Sequence, residues 1–484
     1  MLKKNVIANF AGGVWSAIIG LIFVPIYVRL MGVESYGLVG FFTSLQIVFA
    51  ILDLGLSQTI SREMARLKAT DSNSPDLANT ARTFELIYWA TAVLILIITI
   101  SMSSTIANYW LKPEKLTRES VQSALTVMAF ALGLRWPSAI YIGGLVGLQK
   151  QVAANWIGAI MATVQSVGAV LVLYLAKPTV ENFFAWQAVM TLAQVLILRQ
   201  LFWQEMPKQI KPQFSKEIIK KTWRFAASMS SITLLSLILT QLDKIILSKV
   251  LSLTAFGYYS FASTVALTLY KLISPIFTAY YPRLTELVSQ NKTQELIKTY
   301  HQGCRLLAVM TIPAAFSFIF FAESIILIWT RNADLTNGSY QLVIFLIAGN
   351  LLNGFMNIPY ALQLAHGWTR LAIYTNVIAV VFLGPSIYYV STRWGALPAT
   401  YVWVLLNFGY ILINIPIMHR KILPEEKWVW YKNDLILPFI ISLTIFVPFK
   451  LLTLNYEGMI IQILAITAAI LGSTLTLLKV TKLK

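Results

Sequence analysis

Four basic residues stand inside long apolar stretches of the sequence, where a charged side chain is costly. Arg135 lies in ALGLRWPSAIY and Lys271 in ALTLYKLISP, both near the middle of a predicted membrane span. Lys244 lies in the outer half of another span, and Arg29 lies at the outer end of the first. A charge at mid-bilayer costs about 2.5–3.5 kcal/mol on insertion scales, so such residues are expected to face protein or water. Because arginine and lysine both hold phosphate oxygens, the four residues predict a cationic cavity for an anionic cargo.

Two of these residues also have an ordinary structural interpretation. Arg29 can extend its charge to the outer membrane interface. Lys244 directly follows Asp243, and neighbours on a helix point about 100° apart, so each is expected to pair with a group on another helix. Arg135 and Lys271 have no comparable explanation, and they are the main candidates for cargo binding.

Acidic residues in the spans are the candidates for ion coupling. Asp53 in LDLGLSQ is placed deepest, Asp243 precedes Lys244, Glu323 lies near an outer span end, and Glu85 lies near an inner one. A desolvated carboxylate binds protons more readily, which suits coupling to a proton gradient. A counter-ion or a helix cap explains Asp53 equally well. A proton or sodium ion is therefore one expected partner, alongside the membrane lipids.

Several other chemistries are excluded by residue type. Cys304 is the only cysteine, so no internal disulfide is possible. His301, His366 and His419 are far apart in the sequence, so neither a metal site nor a cofactor is expected. The sequence contains no GxxxxGK[ST] phosphate loop, which excludes ATP hydrolysis by that route. Transport must then be driven by an ion gradient or by the concentration difference of the cargo.

The elements that carry these residues follow from composition. Of 484 residues, 57% are hydrophobic and 12% are charged, against about 25% charged in soluble domains. Because a helix needs about 20 apolar residues to cross the hydrocarbon core, the apolar blocks predict an all-α polytopic membrane protein. The first block is too long for a signal peptide and is expected to remain as a span. We predict fourteen spans, at 6–30, 36–61, 83–107, 120–146, 152–176, 180–203, 225–248, 254–281, 302–328, 339–363, 369–391, 395–418, 434–452 and 457–478.

The net charge of +18 has a topological explanation. With the amino terminus inside, cytoplasmic segments hold 26 Lys and Arg residues, and external segments hold nine. This bias follows the positive-inside rule and places both termini in the cytoplasm. Nucleic acid is not an expected partner.

A basic linker and a weak repeat predict two lobes. We expect an amino-terminal lobe at 1–203, a cytoplasmic linker at 204–224, a carboxy-terminal lobe at 225–418, and two extra helices with a basic tail at 419–484. Aligning the sequence with itself places RLMGVESYG (29–37) over KVLSLTAFG (249–257). Each segment lies between the first and second spans of its lobe, which indicates a parallel repeat about an axis along the membrane normal.

Four segments carry a resemblance to a known family. They are P-x-Y-x-R-x-x-G-x-x-x-Y-G from Pro25 to Gly37, LDLGL at 52–56, GLVGLQKQVAAN at 144–155 and QLDKIILSKVLS at 241–252. Together with the whole opening at 5–66, they resemble the polysaccharide transporters, which are oligosaccharide flippases of the Wzx type. That family shares a superfamily with multidrug-and-toxin extruders and MurJ-type lipid II flippases.

The resemblance implies two six-helix lobes around a central cavity, two additional carboxy-terminal helices, and alternating access. It also implies a cargo, namely an oligosaccharide on undecaprenyl pyrophosphate moved from the inner to the outer leaflet of the bacterial cytoplasmic membrane. The cargo of this chain would be an O-antigen or similar surface-polysaccharide repeat unit. A polysaccharide polymerase or chain-length protein is a further expected partner.

Two alternatives belong to other functional types. A multidrug extruder of the same fold would favour intramembrane acids, whereas the residues nearest mid-span here are basic. A membrane glycan polymerase or ligase would display a sizeable external loop with catalytic groups, and no such loop is predicted. We therefore expect a transporter and no catalytic residues.

Overall fold

A computed structural model gives the fold of residues 2–53, 55–71, 73–207, 210–454 and 458–481, without the side chains of 2–11, 17, 221, 223–237 and 454. These residues form helices and short connections, with no strand among them. Thirteen of their helical segments are long and apolar enough to cross a membrane. The remaining predicted span, 225–248, lies in the helix Lys216–Val250, and most of it falls on side chains outside the described set. The expected all-α polytopic architecture is confirmed.

The chain divides into two compact units, of which the first covers Met1–Gly257. A 3-10 turn at Ile51–Asp53 and a π-helical turn at Ile106–Trp110 interrupt its helices. The helices are α1 (Leu2–Met31), α2 (Val33–Ala50), α3 (Leu56–Thr70), α4 (Pro75–Thr105), α5 (Arg118–Arg135), α6 (Ser138–Gly147), α7 (Gln151–Leu175), α8 (Val180–Gln204), α9 (Lys216–Val250) and the start of α10 (Leu253–Leu267).

The second unit covers Tyr258–Lys484. A 3-10 turn at Pro424–Glu426 and a π-helical segment at Trp430–Ile436 precede its last two long helices. After the rest of α10, its helices are α11 (Tyr270–Ser289), α12 (Thr293–Thr330), α13 (Ala333–Phe355), α14 (Asn357–Ala365), α15 (Arg370–Trp394), α16 (Ala396–Ile422), α17 (Lys427–Val429), α18 (Leu437–Leu454) and α19 (Met459–Val480).

The order of the helices repeats along the chain, and equivalent helices lie about 220 residues apart. Helix α2 begins at Val33 and α10 begins at Leu253, while α1 ends at Met31 and α9 ends at Val250. The break between α5 and α6 and the break between α13 and α14 obey the same offset. The repeat seen in one short stretch of sequence thus extends over several helices and their interruptions.

Three predicted spans that contain candidate residues, those of Asp53, Arg135 and Lys271, are interrupted by a break in the helix. Helix α5 ends before Pro137, which has no N–H and clashes with the carbonyl of Gly133 in a continuous helix. That carbonyl accepts a hydrogen bond from the Trp136 N–H instead, at 3.2 Å. Between α2 and α3, Gly55 adopts a left-handed conformation with φ of 73°. Such breaks free backbone polar groups, which are tolerated at membrane depth where they are covered by protein or line a wet cavity.

The first unit is held together near these breaks by backbone contact between α3 and α6. A Cβ added to Gly143 would lie 2.5 Å from the Ser57 carbonyl oxygen, and one added to Gly147 would lie 2.2 Å from the Ser61 carbonyl oxygen. Small residues four positions apart allow membrane helices to approach this closely. Beneath them, buried apolar side chains such as Ile60, Phe84 and Tyr141 form one cluster.

Candidate functional site

Arg135 is the last residue of α5, directly at the mid-span break of the first unit. Its side chain is exposed, and its backbone carbonyl accepts a hydrogen bond from the Ser138 hydroxyl at 2.5 Å. Within the described part of the chain, no hydrogen bond or ion pair engages its guanidinium. Its backbone is therefore fixed, and its charge stays available to a ligand.

Tyr88 connects the α2–α3 break with the α5–α6 break of the first unit through a hydrogen bond and a ring contact, which we call the Tyr88 tie. The Tyr88 hydroxyl donates a hydrogen bond to Asp53 at the end of the α2 span. The Tyr88 ring stacks on Trp136, with ring centroids 5.9 Å apart. Because Trp136 follows Arg135 in the chain, the tie fixes the position from which the Arg135 side chain extends.

Asp53 is half-buried and already committed to local hydrogen bonds. Besides Tyr88, its carboxylate accepts from the Ser57 hydroxyl at 2.8 Å and from the Ser57 N–H at 3.4 Å. A carboxylate that accepts an N–H in the first turn of a helix acts as a cap. These contacts fit the capping alternative for Asp53, and its role in ion coupling stays a prediction.

Lys271 also lies beside a mid-span break, in the second unit, and this break matches the α2–α3 break in the internal repeat. It is the second residue of α11, just after the break from α10, and its side chain is exposed. No described hydrogen bond or ion pair engages its ammonium group. The Tyr270 hydroxyl beside it donates to the Asn353 side chain at 2.8 Å, so this break is tied to the end of α13.

An asparagine cluster extends that tie. The Asn353 amide donates to Asn407 on α16 at 2.7 Å. Asn350 donates to the Ala266 carbonyl at 3.0 Å and accepts from the Trp403 indole at 3.0 Å. Sequence reasoning missed this cluster because it weighed charges alone; asparagines inside apolar spans, which hydrogen-bond across helices, were the signal available.

The remaining predicted site residues occupy varied environments. Arg29 is exposed in the last turn of α1, and Glu323 is exposed on α12, just beyond a kink at Phe321. Lys244 is buried on α9 next to Asp243, and Asp243 is half-buried with polar or electrostatic contacts of its own. Four predicted site residues are thus exposed, namely Arg29, Arg135, Lys271 and Glu323, and of these Arg135 and Lys271 lie at mid-span breaks.

Glu85 is the most heavily coordinated carboxylate that the structure describes in the first unit. It is buried on α4 and accepts hydrogen bonds from Arg82, Arg199, Trp203 and Tyr141 at 2.7–3.0 Å. Through these four donors the carboxylate joins α4, α6 and α8. Glu85 is thus a structural anchor, and the sequence signal for it was an acid three residues after Arg82 on the same helix, with Arg199 on a later span.

A second charged cluster lies in the second unit. The His301 ring on α12 contacts Asp434, and its other nitrogen lies 2.9 Å from the Glu426 carboxylate. Arg305 donates to the same Asp434 at 2.8 Å. Because Glu426 and Asp434 precede α18, these contacts fasten the segment leading into the last two helices onto α12. The sequence predicted no role for His301, since its partners lie in a distant part of the chain.

At the end of the first unit that is predicted to face outside, two glycines bring α2 and α10 into backbone contact. A Cβ on Gly37 would lie 2.5 Å from the Leu253 carbonyl oxygen, and one on Gly257 would lie 2.3 Å from the Val33 carbonyl oxygen. Gly37 and Gly257 are equivalent positions of the repeat, and each contacts the first residue of the opposite helix.

The connection between α4 and α5 fastens the same end. The buried Glu34 carboxylate on α2 accepts the backbone N–H groups of Glu114, Lys115 and Leu116 at 2.6–3.1 Å. The Lys112 carbonyl accepts the Leu253 N–H at 2.8 Å. We call residues 111–116 the outer strap, because they hold the starts of α2 and α10 together.

Comparisons with known proteins agree with this architecture. A family profile described as "Polysaccharide biosynthesis protein" matches residues 2–288, and a profile described as MatE matches residues 228–390. The chain is 22% identical over 411 residues to a Shigella flexneri protein named "Putative O-antigen transporter", which covers 83% of this chain and 93% of that protein.

Solved structures share the fold. The structure titled "Lipid II flippase MurJ, inward closed conformation" has a TM-score of 0.73 and 14% identity, over 98% of both chains. An inward-facing MATE multidrug transporter has a TM-score of 0.63 and 15% identity, over 84% of this chain and 96% of that chain. At these identities, the likeness shows the arrangement of helices.

Proposed function

The chain belongs to the polysaccharide biosynthesis protein family, and from that premise we propose that it moves an undecaprenyl-pyrophosphate-linked oligosaccharide from the inner to the outer leaflet. The match to that family confirms the resemblance predicted from the sequence. The chain is a multi-pass transporter of the superfamily that includes MurJ-type flippases and multidrug extruders. The cargo, an O-antigen or similar repeat unit, and the alternating-access mechanism are our proposals.

The proposal of an anionic cargo rests on one observation. Arg135 and Lys271 are exposed at mid-span breaks, and no described side chain neutralises either of them. Within a membrane, an unpaired cation is costly, so its presence favours a negatively charged ligand. A pyrophosphate offers the oxygens that a guanidinium fork and an ammonium group bind.

The available acids weaken the case for a drug extruder. The MatE match over 228–390 and the MATE-like fold favour that alternative. Extruders of cationic compounds need accessible carboxylates. Glu323 on α12 is exposed, but the acids near the first unit's breaks are engaged, since Asp53 accepts hydrogen bonds from Tyr88 and Ser57 and Glu85 is surrounded by four donors. The exposed charges at the two breaks are basic, which supports the flippase.

A membrane enzyme is also disfavoured. Among the described residues, the longest connection predicted to be external is 111–117, and part of it forms the outer strap. So short a segment provides no separate catalytic domain. The chain is therefore a transporter, and we assign it no catalytic residue.

We propose that outward opening separates α2 from α10. The glycine contacts and the outer strap close this end of the first unit in the present state, so alternating access would have to release them. Asp53, Asp243 and Glu323 remain our candidates for proton or sodium coupling, with Lys244 and Arg29 as accessory cations. We further propose cytoplasmic termini, the lobes predicted at 1–203 and 225–418, and a polysaccharide polymerase or chain-length protein as a partner.

The proposal is tested by supplying variants to a host that lacks this protein and measuring its surface-glycan assembly. Arg135→Ala and Lys271→Ala should each abolish assembly while the protein remains folded and inserted. Arg118→Ala is the matched control, because Arg118 is an exposed arginine at the other end of α5. Normal glycan from both cavity variants would overturn the assignment.

A further inference from the structure

Helix α3 has two chemically different faces. Its buried face carries Thr59, Ile60, Glu63, Met64 and Leu67. Its opposite face lines a cavity of about 700 Å³ with residues at helical spacing, namely Ser57, Gln58, Ser61, Arg62 and Ala65. By the predicted topology this face begins at the inner end of the second span (36–61) and continues into the cytoplasmic segment, so it is open to a polar group that enters from the inner leaflet.

The other wall of the cavity belongs to α6 and to the turn that follows it. Gly143 and Gly147 form the floor, because their contact with the α3 backbone leaves no room for side chains. Gln149 and Gln151 provide polar groups at the far end. We call this cavity the α3–α6 groove.

Gln149, just past the end of α6, adopts a left-handed conformation, with φ of 60°, and the Lys150 N–H closes this helix terminus on the Leu145 carbonyl at 2.8 Å. One detail of the groove is costly for the protein alone. The Gln151 side-chain oxygen is buried and accepts no hydrogen bond from the described residues. An unsatisfied buried acceptor is unfavourable, and a ligand that donates a hydrogen bond removes that cost.

The groove begins beside the proposed phosphate site. Ser57, at its upper end, donates to the Asp53 carboxylate at the α2–α3 break. Ala139, on the facing wall, lies four residues after Arg135, just beyond the α5–α6 break. The groove therefore begins at the two breaks that Tyr88 connects, one of which carries Arg135.

We propose that the α3–α6 groove binds the first sugar of the cargo glycan, an inference that rests on the proposed flippase function. Serine hydroxyls and glutamine amides both donate and accept hydrogen bonds, as sugar hydroxyls do. A lipid tail would leave these groups unpaired, which disfavours it as the occupant. The groove selects for a glycosylated headgroup, whereas Arg135 recognises the pyrophosphate common to all such lipids.

The test uses the full-length protein in nanodiscs and two probes, undecaprenyl pyrophosphate and undecaprenyl pyrophosphate-N-acetylglucosamine. Wild type should bind the glycosylated lipid more tightly. The double variant Gln58→Met/Gln151→Met, which keeps side-chain volume, should lose about tenfold affinity for it, as expected for about two hydrogen bonds. Its affinity for undecaprenyl pyrophosphate should be unchanged, and Gln122→Met, elsewhere in the first unit, should alter neither affinity.

The outcomes separate the two proposals. A double variant that binds both lipids as wild type does, or a wild type without preference for the glycosylated lipid, overturns the groove assignment alone. A wild type that binds neither lipid overturns the flippase proposal, and the groove assignment with it. Equal thermal unfolding temperatures would confirm that the double variant is folded.

Discussion

Gly37 and Gly257 occupy equivalent positions of the internal repeat, and each packs against the first residue of the other's helix. The contact is reciprocal, since Gly37 meets the Leu253 carbonyl and Gly257 meets the Val33 carbonyl. A weak sequence repeat therefore marks a place where the two copies of one helix touch. Any side chain at either position would force α2 and α10 apart.

This contact predicts that Gly257→Val opens the outer end of the first unit. A reporter cysteine at Ser252, in a Cys304→Ala background, should react faster with a membrane-impermeant thiol reagent once Gly257 is replaced. Gly20→Val is the control, because a Cβ at Gly20 meets nothing within 4 Å. Equal labelling rates in the two variants would argue against a closed outer contact.

The α3–α6 contact predicts opposite effects for two glycine-to-alanine changes. Gly147→Ala places a Cβ 2.2 Å from a backbone oxygen, and such overpacking typically costs about 1–3 kcal/mol. Gly158→Ala has open space around it and gains helix propensity of up to about 1 kcal/mol. Thermal unfolding in detergent should show a lower midpoint for the first variant and an equal or higher one for the second.

The Glu85 anchor predicts a large loss of stability on truncation. Glu85→Ala leaves Arg199 and the buried Tyr141 hydroxyl without their acceptor. Because both arginines that contact Glu85 are partly exposed, we expect a loss of about 1–3 kcal/mol, the cost of an unsatisfied buried polar group. Glu286→Ala is the control, since it removes a similarly spaced Arg–Glu pair that is exposed. Chemical unfolding should separate the two variants clearly; similar midpoints would contradict the anchoring role.

The contacts of His301 predict that Glu426, but not the neighbouring Glu425, holds the segment before α18 in place. Glu426→Ala should loosen the segment before α18, because Glu426 contacts His301. Glu425→Ala should have little effect, since Glu425 is exposed. Limited proteolysis near residues 420–436 measures the difference, and equal cleavage rates would show that the cluster does not hold this segment.

The sequence predicted the spans well and the polar contacts poorly. Apolar length and charge alternation depend on local composition, so the helices carrying Arg135 and Lys271 were correctly located. The breaks beside both residues, and the ties through Tyr88 and Asn353, depend on partners far along the chain. Composition does not encode those pairings. For Asp53, the contacts with Ser57 that favour a helix cap are known from the structure alone.

The same limit explains why the groove was not foreseen. Gln149 and Gln151 stood in a segment that carried the family resemblance, but nothing local placed them beside Ser57 on α3. The glycines that bring these helices together read in the sequence as ordinary small residues of a membrane helix. Only their backbone contacts distinguish them from Gly158 or Gly20.

The central claim is tested most directly by transport in proteoliposomes that contain the purified protein and a fluorescent undecaprenyl-pyrophosphate-linked sugar. Wild type should move the lipid between leaflets, as measured by its loss of accessibility to an external quencher. Arg135→Ala and Lys271→Ala should each slow that movement at least about tenfold, in line with the loss of a charge-assisted hydrogen bond. Wild type that leaves the lipid in place while extruding a cationic dye would contradict the account, as would unchanged transport in both variants.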